Sequence, residues 1–489
     1  MTNTETMQGR AGYQKVGLVL GPAVAVLMLL LGAPEGLDPA AWRVAALGVW
    51  MAIWWATEAA PIAVTALLPV VMFPVLGIAT VKQASGGYFN ATVMLFLGGF
   101  ILAFAIQRWG LHRRIALTVL AYAGKNGRSL IGSFMLVAAL LSMWMMNTST
   151  TMMLLPIAVS IITVIHQSVK DLSDKARDDF QCALLLGVAY GATIGGMSTL
   201  VGTAPNALFA GFMRDNFEVQ VDFASWMMVG MPLSVTLLPL CWLLLTRVAF
   251  SVDFRMPQAA ISELHQMREE LGPMTVPEKR VAVVFSLVAV SWMTRPLLLQ
   301  VPGLGMLEDA MIAIGGAIIL FLLPSGDKSD PVLLRWRYAE QLPWGVLILF
   351  GGGLTLASAV NSSGLALWLG NNLQALTELP LPILIAATAT MIIFLTELTS
   401  NLTTTTTFLP VVAAVAVSAG IDPILLTAAI TMAASCAFML PVATPPNAIV
   451  FGSGLLTIPK MAKAGFLLNL VGIVVVSTVA ITLAPRFLN

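Results

Sequence analysis

Charge is scarce in this chain. Lys, Arg, Asp and Glu make up 10% of its 489 residues, against roughly 25% in a soluble domain. Hydrophobic residues make up 58%, and the mean hydropathy is +0.90. That balance excludes an ordinary soluble domain and points to an integral membrane protein. The net charge of +1, with no basic run, offers no field for nucleic acid. Cysteine is nearly absent too. Cys182, Cys241 and Cys436 are scattered through apolar stretches, with neither metal-ligand spacing nor a disulfide framework, and read as small core residues. The histidines, His112, His166 and His265, fall in charged loops, which excludes a histidine proton relay or metal cluster. No nucleophile–base pair, Gly-rich phosphate loop or carboxylate dyad is visible, so nothing in the chain calls for an enzyme.

What the chain does have is long hydrophobic runs. A helical span takes about 20 apolar residues. Eleven spans are predicted, near 16–32, 41–57, 59–78, 91–107, 181–213, 225–246, 281–299, 310–324, 343–360, 423–456 and 464–485. Two further apolar stretches, 130–165 and 383–416, carry an Asn-Thr or Ser-Asn cluster near their middle. Each is one long helix, two spans, or a re-entrant hairpin. If each enters and leaves on one side, twenty of the Lys and Arg residues, Arg10, Lys125 and Lys170 among them, fall on the inner face. Only Arg43, Lys82, Arg214, Arg295 and Arg486 stay outside. This positive-inside bias puts the protein in the cytoplasmic membrane with a cytoplasmic N-terminus and excludes the single long helix. Two crossings give the same parity, but polarity at mid-stretch favours re-entry, because irregular backbone at membrane depth needs protein or a water-filled cavity around it. The many later segments make the run Val16 to Gly32 a retained first span, not a cleaved signal.

The chain also repeats itself. Phe96-Leu97-Gly98-Gly99 recurs 254 residues later as Phe350-Gly351-Gly352-Gly353, and Asn147-Thr148 as Asn401-Leu402, each followed by threonines and a Leu-Pro pair. Gly202-Thr203-Ala204-Pro205-Asn206 recurs at an offset of 241 as Ala443-Thr444-Pro445-Pro446-Asn447. Five spans separate the two polar stretches, so the halves face opposite ways, an inverted repeat that suits alternating access. The expected organisation is a tail and first helix (1–40), a first repeat (41–250; hairpin 130–165, broken helix 181–213), a cytoplasmic linker (251–280) and a second repeat (281–489; hairpin 383–416, broken helix 423–456). The hydrophilic segment Arg247 to Arg280 reads as a surface helix or linker.

The repeated polar segments carry the chemistry. Proline lacks an amide hydrogen and pushes its predecessor out of helical geometry, so the pair at 445 and 446 breaks its helix. A break frees carbonyls, which suit a small hard cation such as Na⁺, and amides, which suit an anion. Asn147 and Asn401 add an acceptor oxygen and two donor hydrogens each, and Thr148 and Ser400 add hydroxyls. Most of Thr403 to Thr407, with Thr150 and Thr151, bond back to their own helix carbonyls. No Lys or Arg lies in a matched element. A doubly charged anion held there needs co-bound cations, which predicts sodium coupling. Glu397, whose first-half counterpart is Met143, is either a cation or proton group or a partner for amides and hydroxyls of the hairpin. Glu58, near a turn, reads as structural.

The run Ser435-Cys436-Ala437-Phe438-Met439-Leu440-Pro441-Val442-Ala443-Thr444-Pro445-Pro446-Asn447-Ala448-Ile449-Val450 resembles the signature of the divalent anion:sodium symporter family. The Asn-Thr and Ser-Asn segments resemble that family's duplicated Ser-Asn-Thr motif, and the likeness spans nearly the whole chain in order and spacing. It implies an all-α membrane fold of eleven spans and two re-entrant hairpins, a homodimer, and an elevator-like movement that carries C4-dicarboxylates, citrate or sulfate with Na⁺. By position it implies a first sodium site at Ser142, Asn147 and Gly202 and a second at Thr396, Asn401 and Ala443. The repeat offsets of 254 and 241 agree with this pairing. The substrate would meet Asn147, Thr148, Ser400, Asn401, Thr444 and Pro445. Met146 and Leu402 depart from the pattern, each replacing a usual hydroxyl residue with an apolar one. A lost neutral hydrogen bond costs roughly 0.5–1.5 kcal/mol, up to about tenfold in affinity. Apolar walls fit a substrate with a carbon backbone better than compact sulfate. The resulting expectation is sodium-coupled symport of succinate, malate or fumarate, with dicarboxylate exchange as the alternative.

Overall fold

The computed structural model describes residues 11–122, 124, 126–169, 172–328, 330–372 and 379–488. Arg10, Lys125 and Lys170, counted above among the inner charges, lie outside the described residues. Among the described residues, seven helices are long and apolar enough to cross a membrane, including Gly12–Leu31, Asn147–Ser168 and Asn401–Ser418, and shorter apolar helices include Gly127–Ser142 and Leu381–Thr396.

Helix ends follow local chemistry. Asn90, Asn126, Ser173, Asp222 and Thr275 each cap the helix that follows by accepting a backbone N–H with the side chain. Proline sets the breaks. The expected span 59–78 is two short helices, Ile62–Thr65 and Leu68–Val75, in a stretch carrying Pro61, Pro69 and Pro74. Glu58 sits at φ 47° just past Pro39–Thr57 and closes that helix through its backbone N–H, a structural role as expected.

Two expectations are corrected. The chain is not purely helical: Pro324–Asp327 and Asp330–Val332 pair as an antiparallel ribbon, whose first strand turns through Gly326 at φ 78°. The histidines lie on helices, not in loops. His112 opens Leu111–Leu120, His166 closes Asn147–Ser168, and His265 lies within Gln258–Glu269. That last helix forms part of the hydrophilic segment and packs on Asn147–Ser168 and Leu111–Leu120.

Four helix pairs organise the centre. Gly127–Ser142 and Asn147–Ser168 form a first helical hairpin, with a tip at 143–146. Asp174–Gly196 and Ala204–Phe217 are a first broken helix. Leu381–Thr396 and Asn401–Ser418 form a second hairpin with a tip at 397–400. Pro423–Ala434 and Pro445–Phe451 are a second broken helix. These pairs pack crosswise. Pro445–Phe451 lies on the first hairpin and on Asp174–Gly196, while Ala204–Phe217 lies on the second hairpin and on Pro423–Ala434. Around them Ala91–Arg108, Val276–Met293, Asp309–Leu322 and Trp344–Ser362 form a frame. In that frame Phe96 and Phe350, the first residues of the duplicated segments, touch edge to face at 4.9 Å.

In the first half, Gly187, Gly191 and Gly195 let Asp174–Gly196 approach Gly127–Ser142 backbone to backbone. A β-carbon at Gly191 would lie 2.7 Å from Met135 O, and one at Gly195 would collide with the Ala139 backbone. Gly195→Val is therefore expected to cost at least about 1–3 kcal/mol through overpacking, read as a lowered unfolding temperature in detergent. An unchanged temperature would mean the two helices separate freely.

Candidate functional site

The two hairpin tips are built alike. Ser142, last in its helix, donates to Asn147 Oδ1 at 2.5 Å across the first tip. Thr396, last in its helix, donates to Asn401 Oδ1 at 3.0 Å across the second and also lies 3.0 Å from Ala434 O. The helices that begin at Asn147 and Asn401 have no side-chain cap: Met146 and Ser400 stand at the N-cap positions and neither accepts a bond there. Both first turns therefore present free amides and the positive end of a helix dipole. Thr148 and Ser400 are half-buried beside them.

Each break is held open by an asparagine. Asn206 donates to Gly196 O, Met197 O and Thr199 O at 3.4, 3.3 and 2.8 Å. Asn447 donates to Ala437 O and Leu440 O at 3.2 and 3.0 Å. Sequence reasoning missed both residues as supports, although the shared Asn at the end of each repeated segment was the signal. It also missed Gly196. A β-carbon there would sit 2.5 Å from Asn147 Oδ1 and 3.1 Å from Gly202 O. Glycine thus leaves a gap between two oxygens from the first predicted trio, Ser142, Asn147 and Gly202. Of the second trio, Thr396 and Asn401 meet directly. Ala443 lies in the break, its amide bonded to Leu440 O at 3.2 Å, and is not hydrogen-bonded to either of them. Thr444 is buried and caps Pro445–Phe451 by accepting from Asn447 N at 3.3 Å, and Pro445 is exposed.

Tip and break are joined differently in the two halves. In the first, Thr199 donates to Met143 O at 2.5 Å and accepts from Gly202 N at 3.0 Å. In the second, Glu397 accepts from Phe438 N at 2.8 Å, from Met439 N at 2.9 and 3.0 Å, from Leu440 N at 3.0 Å, and from Asn469 Nδ2 at 2.8 Å. Those bonds take up the acceptor directions of the carboxylate. Of the two roles expected for Glu397, this favours bonding to amides, those of the break and not of the hairpin. The Tyr190 hydroxyl, from the first broken helix, donates to Phe438 O at 2.6 Å and ties the halves together. No Lys or Arg lies in 142–148, 196–206, 396–402 or 434–447.

The departures from the resemblance are placed unequally. Leu402 is 6% exposed and belongs to the apolar core, so it packs the hairpin and offers little wall to a ligand. Met146 is half-buried at the first tip.

Curated relatives cover the same length. The sodium-dependent dicarboxylate transporter SdcS of Staphylococcus saprophyticus is 41% identical over 480 residues, 97% of this chain and 92% of the relative. SdcS of Staphylococcus aureus strain USA300 is 42% identical over 479 residues, with the same coverage. Among solved structures, the YdaH transporter of Alcanivorax borkumensis superposes with a TM-score of 0.57 at 16% identity, covering 94% of this chain and 97% of that one. MtrF of Neisseria gonorrhoeae superposes with a TM-score of 0.58 at 10% identity, covering 97% and 95%. These two share the fold. The family model described as the sodium:sulfate symporter transmembrane region matches residues 13–485. With seven helices among the described residues long and apolar enough to span a bilayer, and with that match along almost its entire length, this multi-pass membrane protein belongs to the sodium:sulfate symporter family.

Proposed function

We propose that this protein imports a C4-dicarboxylate such as succinate, malate or fumarate together with Na⁺, as a secondary transporter and not an enzyme. The observation that carries the reading is the pair of uncapped tips. Each sets free amides beside an asparagine oxygen that already gathers other oxygens, with no cationic side chain at hand. Oxygen clusters suit sodium, and neutral donors suit carboxylates. Neither alone holds a dianion at membrane depth, whereas sodium and dianion together neutralise one another. The names of the 41–42% identical relatives support both partners.

In this reading Ser142, Asn147 and Gly202, with Gly196 leaving the room, hold one sodium ion. Thr396, Asn401 and Ala443, with Ala434 O, hold another. The substrate carboxylates meet Asn147, Thr148, Ser400, Asn401, Thr444 and Pro445. The two hairpins re-enter from opposite faces, the N-terminus is cytoplasmic, and two copies form a dimer. The hairpins and broken helices move as a unit against the frame, in an elevator-type exchange of access. Their crosswise packing supports such a unit, since an arm of each broken helix rests on the hairpin and broken helix of the other repeat.

The test is uptake of radiolabelled succinate into proteoliposomes, empty or succinate-loaded, with and without an inward sodium gradient. Accumulation in empty vesicles only with sodium is the expected result. Uptake confined to loaded vesicles and indifferent to sodium would replace symport with exchange.

A further inference from the structure

The duplicated segments Phe96–Gly99 and Phe350–Gly353 lie outside the binding site, yet they are the most closely repeated feature of the frame. Their residues divide into two sets by what they touch. Phe96 meets Phe350 at 4.9 Å. β-carbons at Gly98, Gly351 and Gly352 would lie 2.6 Å from Ala313 Cβ in Asp309–Leu322, 2.6 Å from Tyr88 Cα in the 3-10 turn Gly87–Phe89, and 2.8 Å from Ala66 Cα in the turn between Ile62–Thr65 and Leu68–Val75. These contacts hold the segments against elements outside the binding unit. The last glycine of each segment faces the other way. A β-carbon at Gly99 would lie 3.3 Å from Val201 Cγ1, in the first break, and one at Gly353 would lie 2.6 Å from Thr406 Cγ2, on the second hairpin. Gly99 and Gly353 are repeat equivalents, 254 residues apart.

We infer that Gly99 and Gly353 are the paired bearing surfaces on which the binding unit slides past the frame, and that they set the rate of its movement without contributing to ligand affinity. The inference rests on the proposal that the hairpins and broken helices move together. The physical reason is local. Helices packed ridge into groove sit in discrete registers, because each side chain must leave one groove to enter the next. A glycine presents bare backbone, so the facing Val201 or Thr406 passes without climbing over a knob. Elsewhere on these helices, Gly211 brings Ala204–Phe217 close to Trp344–Ser362, where its β-carbon would lie 3.2 Å from the Leu354 methyl groups.

The experiment uses the full-length protein in proteoliposomes and in detergent. Gly353→Ala and Gly99→Val are expected to slow sodium-driven succinate uptake at least tenfold while equilibrium binding of succinate in sodium changes less than twofold. Thr406→Ser removes only the Cγ2 that the new methyl group meets. The double variant Gly353→Ala with Thr406→Ser is therefore expected to recover uptake to within about threefold of wild type. Wild-type uptake by the single variants, or loss of binding in parallel with uptake, overturns the inference. A cysteine pair at Asn216 and Asn361, on Ala204–Phe217 and Trp344–Ser362, where Asn361 donates to Asn216 O at 3.3 Å, joined by a short bifunctional reagent, tests the movement itself without touching either glycine. Uptake that stops on cross-linking and returns when the reagent is left out supports the moving unit on which the bearing depends. If cross-linked protein transports normally, the moving-unit reading fails, and the inference falls with it.

Discussion

Asn401→Ala is expected to weaken sodium activation of uptake by roughly tenfold to a hundredfold, with Asn147→Ala giving a loss of the same order. In each tip the asparagine oxygen is where the oxygens meet: with Ser142 Oγ at 2.5 Å in the first half, and with Thr396 Oγ1 at 3.0 Å in the second. Alanine removes that oxygen; Ser142 then loses its acceptor, whereas Thr396 keeps Ala434 O at 3.0 Å. Ser142 and Thr396 are both fully buried. A hydrogen bond or ligand contact to a charged group contributes about 1.5–3 kcal/mol, which is the stated range in affinity. Sodium titrations of succinate uptake at fixed succinate give the number. The comparison that isolates the ion site is Asn206→Ala, whose side chain supports break carbonyls and meets neither tip oxygen. It is expected to lower thermal stability first. Should Asn401→Ala shift only maximal uptake and leave the sodium midpoint in place, the second ion site is elsewhere.

The second large effect concerns Glu397. Glu397→Leu strips the acceptor from the amides of Phe438, Met439 and Leu440 and from the Asn469 side chain. An unsatisfied buried donor costs about 1–3 kcal/mol, so three amides together cost at least about 3 kcal/mol, a large share of a typical protein's net stability. Little folded protein should be recovered from membranes. Glu397→Gln keeps the shape and one acceptor oxygen but turns an NH₂ group toward amide donors. It is expected to unfold at a lower temperature while the charge moved per succinate stays at the wild-type value. A carboxylate that carried a proton or sodium through the cycle would behave the other way, with unchanged stability and altered charge per substrate. Current measured in liposomes at fixed voltage separates the two.

These residues also show where the sequence was readable. Asn147 and Asn401 stand out because the repeat copies them into two apolar stretches, and a polar residue at such a position has few uses. The breaks were visible for a similar reason, since proline acts on the backbone next to it. The role of Glu397 was not visible, because its donors lie 41 to 72 residues away, three of them backbone amides that no side chain announces. Gly196 was hidden by the same rule: its contribution is the absence of a β-carbon beside an oxygen 49 positions earlier in the chain. Leu402 misled in the opposite sense. Its place in a repeated motif pointed to the ligand, but the hairpin buries it in the core. The split helix at 62–75 and the ribbon at 324–332 were legible in principle, from Pro61, Pro69 and Pro74 and from Pro-Ser-Gly-Asp. Hydropathy alone smooths over such breaks.

The crosswise packing of the broken helices has a consequence for how the protein is made. Ala204–Phe217 leaves the ribosome long before the helices it rests on, Asn401–Ser418 and Pro423–Ala434. At 5–20 residues per second, the delay is roughly 10–40 s. Throughout that time the first half must sit in the bilayer with one arm of its break lacking those partners, and only near the end of synthesis can both halves close on each other. A gene cut between the repeats would therefore encode two fragments that mature only when they are produced together, and a ribosome stalled past the midpoint would leave a membrane-inserted chain for quality control to remove.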